Sequence, residues 1–155
     1  MGEWRSSAAR EIESFLKSKG YTVRDLKISG GDKILLGREE GGRFTALTEA
    51  DMVILGGGSV KYILRIQEGE SLQELIGTYG AVNLSTHLVR GKERMGTEGA
   101  ALILVTEWDE GSRRPEELGL LKGLLKGWSG SLKDLHICRK IGFYKEFERL
   151  AAGKE

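Results

Sequence analysis

Apolar positions recur along this chain with two different periods, and each change of period marks an element. In EWRSSAAREIESFLKSKGY, Trp4, Ala8, Ile12, Phe15 and Leu16 fall on one stripe at helical spacing and Gly20 supplies a stop, which predicts an amphipathic helix. Glu11 lies at the edge of that stripe and Glu13 points away from it, so Glu11 is the acid expected to look toward the core. YTVRDLKIS, KILLGRE and RFTALTEADMVIL follow, separated by Gly30-Gly31-Asp32 and Gly41-Gly42, and read as two or three strands of an antiparallel meander. Gly56-Gly57-Gly58 then turns the chain into VKYILRIQ, whose unbroken apolar middle predicts a central strand.

Ser71 with Glu74 three residues later forms a capping box, so a helix is expected to open there and run to about Val89 or Arg90. One stripe of it, with Leu72, Leu75, Ile76, Tyr79, Val82, Asn83 and Thr86, should lie on the sheet. A second stripe carries Gly77, Gly80, Ala81, Leu84 and Leu88, small residues that let another helix approach closely, either from the same chain or across a dimer. GKERMGTEG reads as a charged loop and AALILVTEW as a buried strand, so residues 61–105 form a parallel β-α-β crossover. SRRPEELGLLKGLLKGW is a helix with Pro115 in its first turn, LKDLHICRK a last strand, and GFYKEFERLAAG a last helix with Phe143, Phe147 and Leu150 inward. The order predicts an α/β domain with helices on both faces of one mixed sheet.

Composition narrows this picture more than it adds to it. A length of 155 residues fits a single domain spanning 1–155. With 24 Lys+Arg against 23 Asp+Glu, the charge gives no global attraction to nucleic acid or membrane, so any basic surface must be local. The single cysteine, Cys138, has no internal partner, and a buried, inert thiol is expected for it. No apolar run is long enough to span a bilayer and no cleavable leader pattern opens the chain, which makes a cytoplasmic protein the expectation. His87 and His136 are too few for a zinc site with one cysteine and read as structural, and the GGGS at 56–59 precedes a strand and reads as a turn.

Candidate chemistry gathers at the glycine turn. Asp51 stands where one strand begins, and the strand after the turn ends Arg65-Ile66-Gln67. With this layout, the opening α-β-β-β-α-β stretch from Glu3 to Trp108 resembles the restriction-endonuclease-like superfamily, the PD-(D/E)xK nucleases. The resemblance implies a three-layer α/β/α fold with a mixed central sheet, here the α-β-β-β-α-β core plus a C-terminal α-β-α. It sets Ala50-Asp51 at the family's P-D pair, Arg65-Ile66-Gln67 at its E-x-K, and Glu11 at the acid some members carry on the first helix. Proline is replaced by alanine, the second metal carboxylate by Arg65 and the lysine by Gln67.

Metal-assisted phosphodiester hydrolysis needs hard oxygen ligands converging on a divalent ion and a group that activates water. An arginine facing Asp51 across neighbouring strands would occupy its oxygens and repel the ion, so an Asp51 to Arg65 bridge is expected in place of a metal, with no cofactor. The alternative is a migrated Mg²⁺ site in which Glu68 and Glu70 join Asp51 and Glu11, and Gln67 donates to a scissile phosphate. The plain reading makes Asp51 a strand-entry residue and Arg65 a satisfied polar side chain in an ordinary hairpin. Arg90, Lys92 and Arg94, then Arg113 and Arg114, then Lys122, Lys126 and Lys133 are the local basic residues that would track DNA or RNA, or else form a solvated face. The expected function is a non-catalytic nuclease-like domain acting in nucleic-acid binding or as an assembly subunit, with a homodimer or another protein as partner and no membrane. The alternatives are a divalent-metal endonuclease and a scaffold that dimerises through the 72–90 helix.

Overall fold

The structure, a computed structural model, describes residues 3–25, 33–67 and 71–152. The elements run α1 (Glu3–Ser18), β1 (Thr22–Asp25), β2 (Ile34–Glu40), β3 (Arg43–Ala50), β4 (Met52–Gly56), β5 (Ser59–Ile66), α2 (Leu72–Leu84), β6 (His87–Arg90), β7 (Glu93–Gly96), β8 (Ala101–Thr106), α3 (Arg114–Leu125), β9 (Asp134–Arg139) and α4 (Lys140–Ala152). The α/β class follows the sequence pattern. The expected turn at Gly30-Gly31-Asp32 lies outside the described residues.

A five-stranded mixed sheet in the order β1-β4-β5-β8-β9 forms the centre. β4 pairs antiparallel with β1 and β5, whereas β5, β8 and β9 run parallel, so the crossover expected over residues 61–105 is present. All six residues of β8 are buried, and strand alternation divides them between two cores. Leu102 and Leu104 join Ile63, Leu75, Tyr79, Leu118 and Leu125 under α2 and α3. Ala101, Ile103 and Val105 join Ile12, Leu16, Leu64, Phe143 and Phe147 under α1 and α4. Each fully buried aliphatic or aromatic side chain of this kind contributes on the order of 2 kcal/mol.

The single mixed sheet expected from the sequence is instead two sheets. RFTALTEADMVIL does not form one strand: it breaks at Asp51, and β3 pairs with β2 while β4 pairs with β1 and β5. The residue types explain the division. RFTALTEA mixes polar and apolar residues and has Ala50 as its one fully buried position, suited to a hairpin over the surface, while MVIL is apolar and enters the buried sheet. The β2–β3 hairpin joins β6 and β7 in a four-stranded antiparallel sheet, β3-β2-β6-β7.

α2 also ends earlier than its apolar stripe suggests. The capping box is present, with Ser71 Oγ accepting from the Glu74 amide and the Glu74 carboxylate accepting from the Ser71 amide. The helix stops at Leu84, where Ser85 turns extended and its hydroxyl donates to the Ala81 carbonyl. Thr86 then donates its amide to Gly37, and His87–Arg90 pairs with β2. The charged GKERMGTEG segment, expected as a loop, supplies β7 after a turn in which Gly91 has φ 61°. Leu88 therefore belongs to a strand and is buried.

Candidate functional site

Asp51 occupies the bend where the chain passes from one sheet to the other. It is 3 % exposed, and its amide donates to the Leu64 carbonyl at 2.9 Å. Its carboxylate turns toward α1. Arg5 donates to Oδ1 through Nε at 2.9 Å and also through Nη2, while the Ile66 amide donates to Oδ2 at 2.6 Å. A guanidinium fork on one oxygen and a backbone amide on the other hold both oxygens in charge-assisted bonds.

The expected Asp51 to Arg65 bridge is not formed. Alternation along β5 sends Ile63, Arg65 and Gln67 to the α2 face, whereas the carboxylate of Asp51 is taken up by α1. Arg65 Nη1 donates to the Glu49 backbone carbonyl at 2.6 Å, and its buried Nε makes no hydrogen bond among the described residues. Gln67 is buried, and its Nε2 donates to Thr78 Oγ1 on α2 at 3.1 Å, leaving Oε1 without a hydrogen bond among the described residues. The cation that meets Asp51 is thus Arg5, which sequence reading missed. The signal was available, since Arg5 precedes Ala9, Ile12 and Leu16 by four, seven and eleven residues and so shares their inward stripe.

The two acids of α1 exchange the places expected for them. Glu13 is 7 % exposed and lies 2.7 Å from Lys17, while the Glu11 side chain is 52 % exposed and pairs with Lys140 at the start of α4. The buried arc of α1 is centred on Ala9, Ile12 and Leu16, with Trp4 and Phe15 at its half-buried margins, which rotates Glu11 outward. Its hydrogen bond from Lys140, with the accompanying charge, holds the Glu11 carboxyl below its ordinary value. Glu11 is therefore committed to α4, and Glu68 and Glu70 lie outside the described residues. Among the described residues no group of three His, Cys, Asp or Glu side chains is placed to hold a metal ion.

The basic residues fall on two separate elements. Arg90, Lys92 and Arg94 belong to the β6–β7 hairpin, where Arg94 lies 2.9 Å from Glu39 and over the Phe44 ring, and Arg90 lies 3.9 Å from Glu93. Arg113 and Arg114 open α3 and pair with Glu116 at 3.2 Å and Glu117 at 3.7 Å. Each of these four arginines has a carboxylate beside it. Beside Arg113 and Arg114, past the carboxyl ends of the parallel strands β8 and β9, lies an open crevice of about 770 Å³ lined by Glu107, Trp108, Asp109, Glu110 and Arg139 together with those two arginines. Arg139 bridges Glu107 at 3.5 Å and Glu110 at 3.1 Å, with its guanidinium over the Trp108 ring. Arg113, Arg114 and Arg139 in the lining of the crevice each lie beside a carboxylate of the same chain.

The remaining candidates resolve simply. Of the small-residue stripe, Gly80 faces Trp128, 3.8 Å from where its Cβ would stand, so α2 packs on its own chain there; Gly77 and Leu84 are exposed and Ala81 is half-buried. His87 Nδ1 lies 2.9 Å from Thr86 Oγ1. Burial pushes the Cys138 thiol up to about 12, which keeps it protonated and inert. No helix of the described residues is long and apolar enough to cross a membrane. Compared with family models, curated proteins and solved structures, the chain matches none of them.

Proposed function

We propose that this chain is a non-catalytic, restriction-endonuclease-like domain whose metal site has been replaced by an ion pair, and that it serves as an assembly subunit of a nucleic-acid-handling complex. Support for the fold comes from the order α1, β1, β4, β5, α2, β8, whose strands pair antiparallel, antiparallel and parallel in turn, as an α-β-β-β-α-β core requires. On this reading the β2–β3 and β6–β7 hairpins are insertions. Asp51 and the end of β5 then lie at the same end of the sheet, where the superfamily keeps its metal.

The observation that carries the proposal is the environment of the Asp51 carboxylate. A divalent ion needs an oxygen that is available and neighbours that are acidic or neutral. Here Arg5 supplies a positive charge on Oδ1, the Ile66 amide occupies Oδ2, and Gln67, at the position of the lysine, is bonded to Thr78. Assembly is favoured over phosphate tracking because the arginines of both basic groups are paired with carboxylates. Incubation with supercoiled plasmid and Mn²⁺ is expected to leave the plasmid intact, and gel shifts at physiological salt are expected to show no retarded band. Plasmid cleavage that disappears in Asp51→Asn would refute the reading.

A further inference from the structure

A recess of about 250 Å³ opens beside the amino ends of the parallel strands β8 and β9, toward the end of the central sheet away from Asp51. Its floor follows from the strand register. Ala101 pairs with both Tyr62 and Asp134, so a single methyl group stands between a ring and a carboxylate, and the small side chain leaves a hollow. Arg149 and Leu150 line it from the last turn of α4, and Lys133 lines it from the loop before β9, with its amide tied to the Ala100 carbonyl at 2.9 Å.

His136 completes the lining, and its side chain is only 9 % exposed. Its Nε2 lies 3.3 Å from Asp134 Oδ2, while Nδ1 is buried without a hydrogen bond among the described residues, 3.8 Å from Glu146. Burial pushes the imidazole below its ordinary value, with Asp134 and Glu146 opposing the shift and Lys122 and Arg149 adding to it. An anion beside it would raise its affinity for protons.

The charges around the recess are not balanced. Asp134 is matched by Lys126 at 3.3 Å and Glu146 by Arg149 at 2.6 Å, whereas Lys133 has no carboxylate within ion-pair reach among the described residues. Lys122 and Arg149 stand in the last turns of α3 and α4, where a cation offsets the helix dipole. Lys133 serves no helix, so its charge is left over. Arg149 uses Nη2 for Glu146, and a guanidinium carries further N–H donors. An ammonium and a guanidinium on separate elements suit a group that accepts hydrogen bonds from several directions, as a terminal phosphate does. Ala101, Leu150 and the Tyr62 ring offer an apolar side for an organic substituent. A backbone phosphodiester carries one charge and a substituent on either side, and suits a recess of this volume less well.

We propose that this recess binds the terminal phosphate of a small phosphorylated metabolite, with Lys133 and Arg149 on the phosphate oxygens, His136 beside them and the organic part against Tyr62 and Leu150. The site goes beyond the assembly reading and does not depend on it. The chain has two histidines, so the imidazole signals of His136 and His87 can be followed by NMR as inorganic phosphate, glycerol phosphate or a short DNA duplex is added to the full chain. Both small phosphates are expected to shift the His136 signals saturably and to raise its titration midpoint, while His87, on the second sheet, is unmoved. Lys133→Gln, at an exposed position, should weaken both phosphates by about tenfold or more and leave the thermal melt in phosphate-free buffer unchanged. No saturable shift at His136, equal shifts at both histidines, a response to inorganic phosphate alone, undiminished affinity in Lys133→Gln, or a response to the duplex at lower concentration than to either small phosphate would each overturn the proposal. None of these outcomes bears on metal binding at Asp51, so failure of this site and failure of the nuclease-like reading are separable.

Discussion

At the scale of single residues, the pair formed by Arg5 and Asp51 has the largest consequences. Asp51 is buried while Arg5 keeps 29 % of its side chain exposed, so the interaction lies between a surface pair and a fully buried one. Asp51→Asn is expected to lower the unfolding free energy by about 2 kcal/mol, from loss of charge-assisted bonds to Arg5 and to the Ile66 amide. Arg5→Ala should cost a similar amount by leaving a buried carboxylate short of a donor. Urea melts of the two single variants and the double variant should give a double-mutant cycle in which the combined loss is smaller than the sum; strictly additive losses would show that the two side chains are not coupled. Asp51 stood out in the sequence because it stands where an apolar strand begins, whereas its partner did not. Alternation tells which residues of a strand share a face, but at a bend it does not tell which face a carboxylate will take.

His136 supports a second prediction at this scale. Burial lowers the affinity of its imidazole for protons, partly opposed by Asp134 and Glu146, so its value sits below the ordinary 6.5. The unfolded chain then takes up a proton at a pH where the folded chain resists it. The contribution of His136 to stability is therefore complete above about 6.5 and declines as the pH falls from there through the lowered folded value. Replacement by Gln should flatten this part of the stability profile, and an unchanged slope in chemical denaturation between pH 7 and pH 5 would assign the dependence to other groups.

At the scale of elements, strands and helices were legible where a single pattern persisted, and misread where one pattern continued across a boundary. The α2 stripe continues in register into Thr86 and Leu88, yet Ser85 ends the helix and β6 begins. RFTALTEADMVIL has no glycine or proline within it and is nevertheless divided between two sheets at Asp51, because the apolar MVIL is buried between β1 and β5 while RFTALTEA pairs with β2. Glycines separate the structural from the incidental. A Cβ at Gly37 would overlap the Thr45 carbonyl oxygen at the irregularity between β2 and β3, while one at Gly77 in α2 would meet nothing. Gly37→Ala should destabilise by about 3 kcal/mol or more, since the obstacle is backbone. Gly77→Ala should instead stabilise by roughly 0.5–1 kcal/mol through helix propensity. Thermal melts showing equal effects at the two positions would refute this distinction.

At the scale of the whole molecule, two cores on opposite faces of the central sheet fix the position of Asp51. Its strand β4 lies between β1 and β5, and α1 crosses the face on which Arg5 can reach it. The α/β class and the parallel crossover were readable because β5 and β8 are apolar throughout their middles, as strands covered on both faces must be. The second sheet was not, since its strands come from hairpins far apart in sequence and only their pairing makes them one surface. Sequence alternation placed Arg65 opposite the Asp51 carboxylate, whereas the guanidinium that meets it comes from α1 and Arg65 is bonded to the Glu49 carbonyl. Calorimetric titration of Mn²⁺ into the protein tests this directly. No saturable heat is predicted for the native chain, and Asp51→Asn should behave in the same way; a saturable heat that vanishes on Asp51→Asn would contradict the proposal that Arg5 stands in place of a metal.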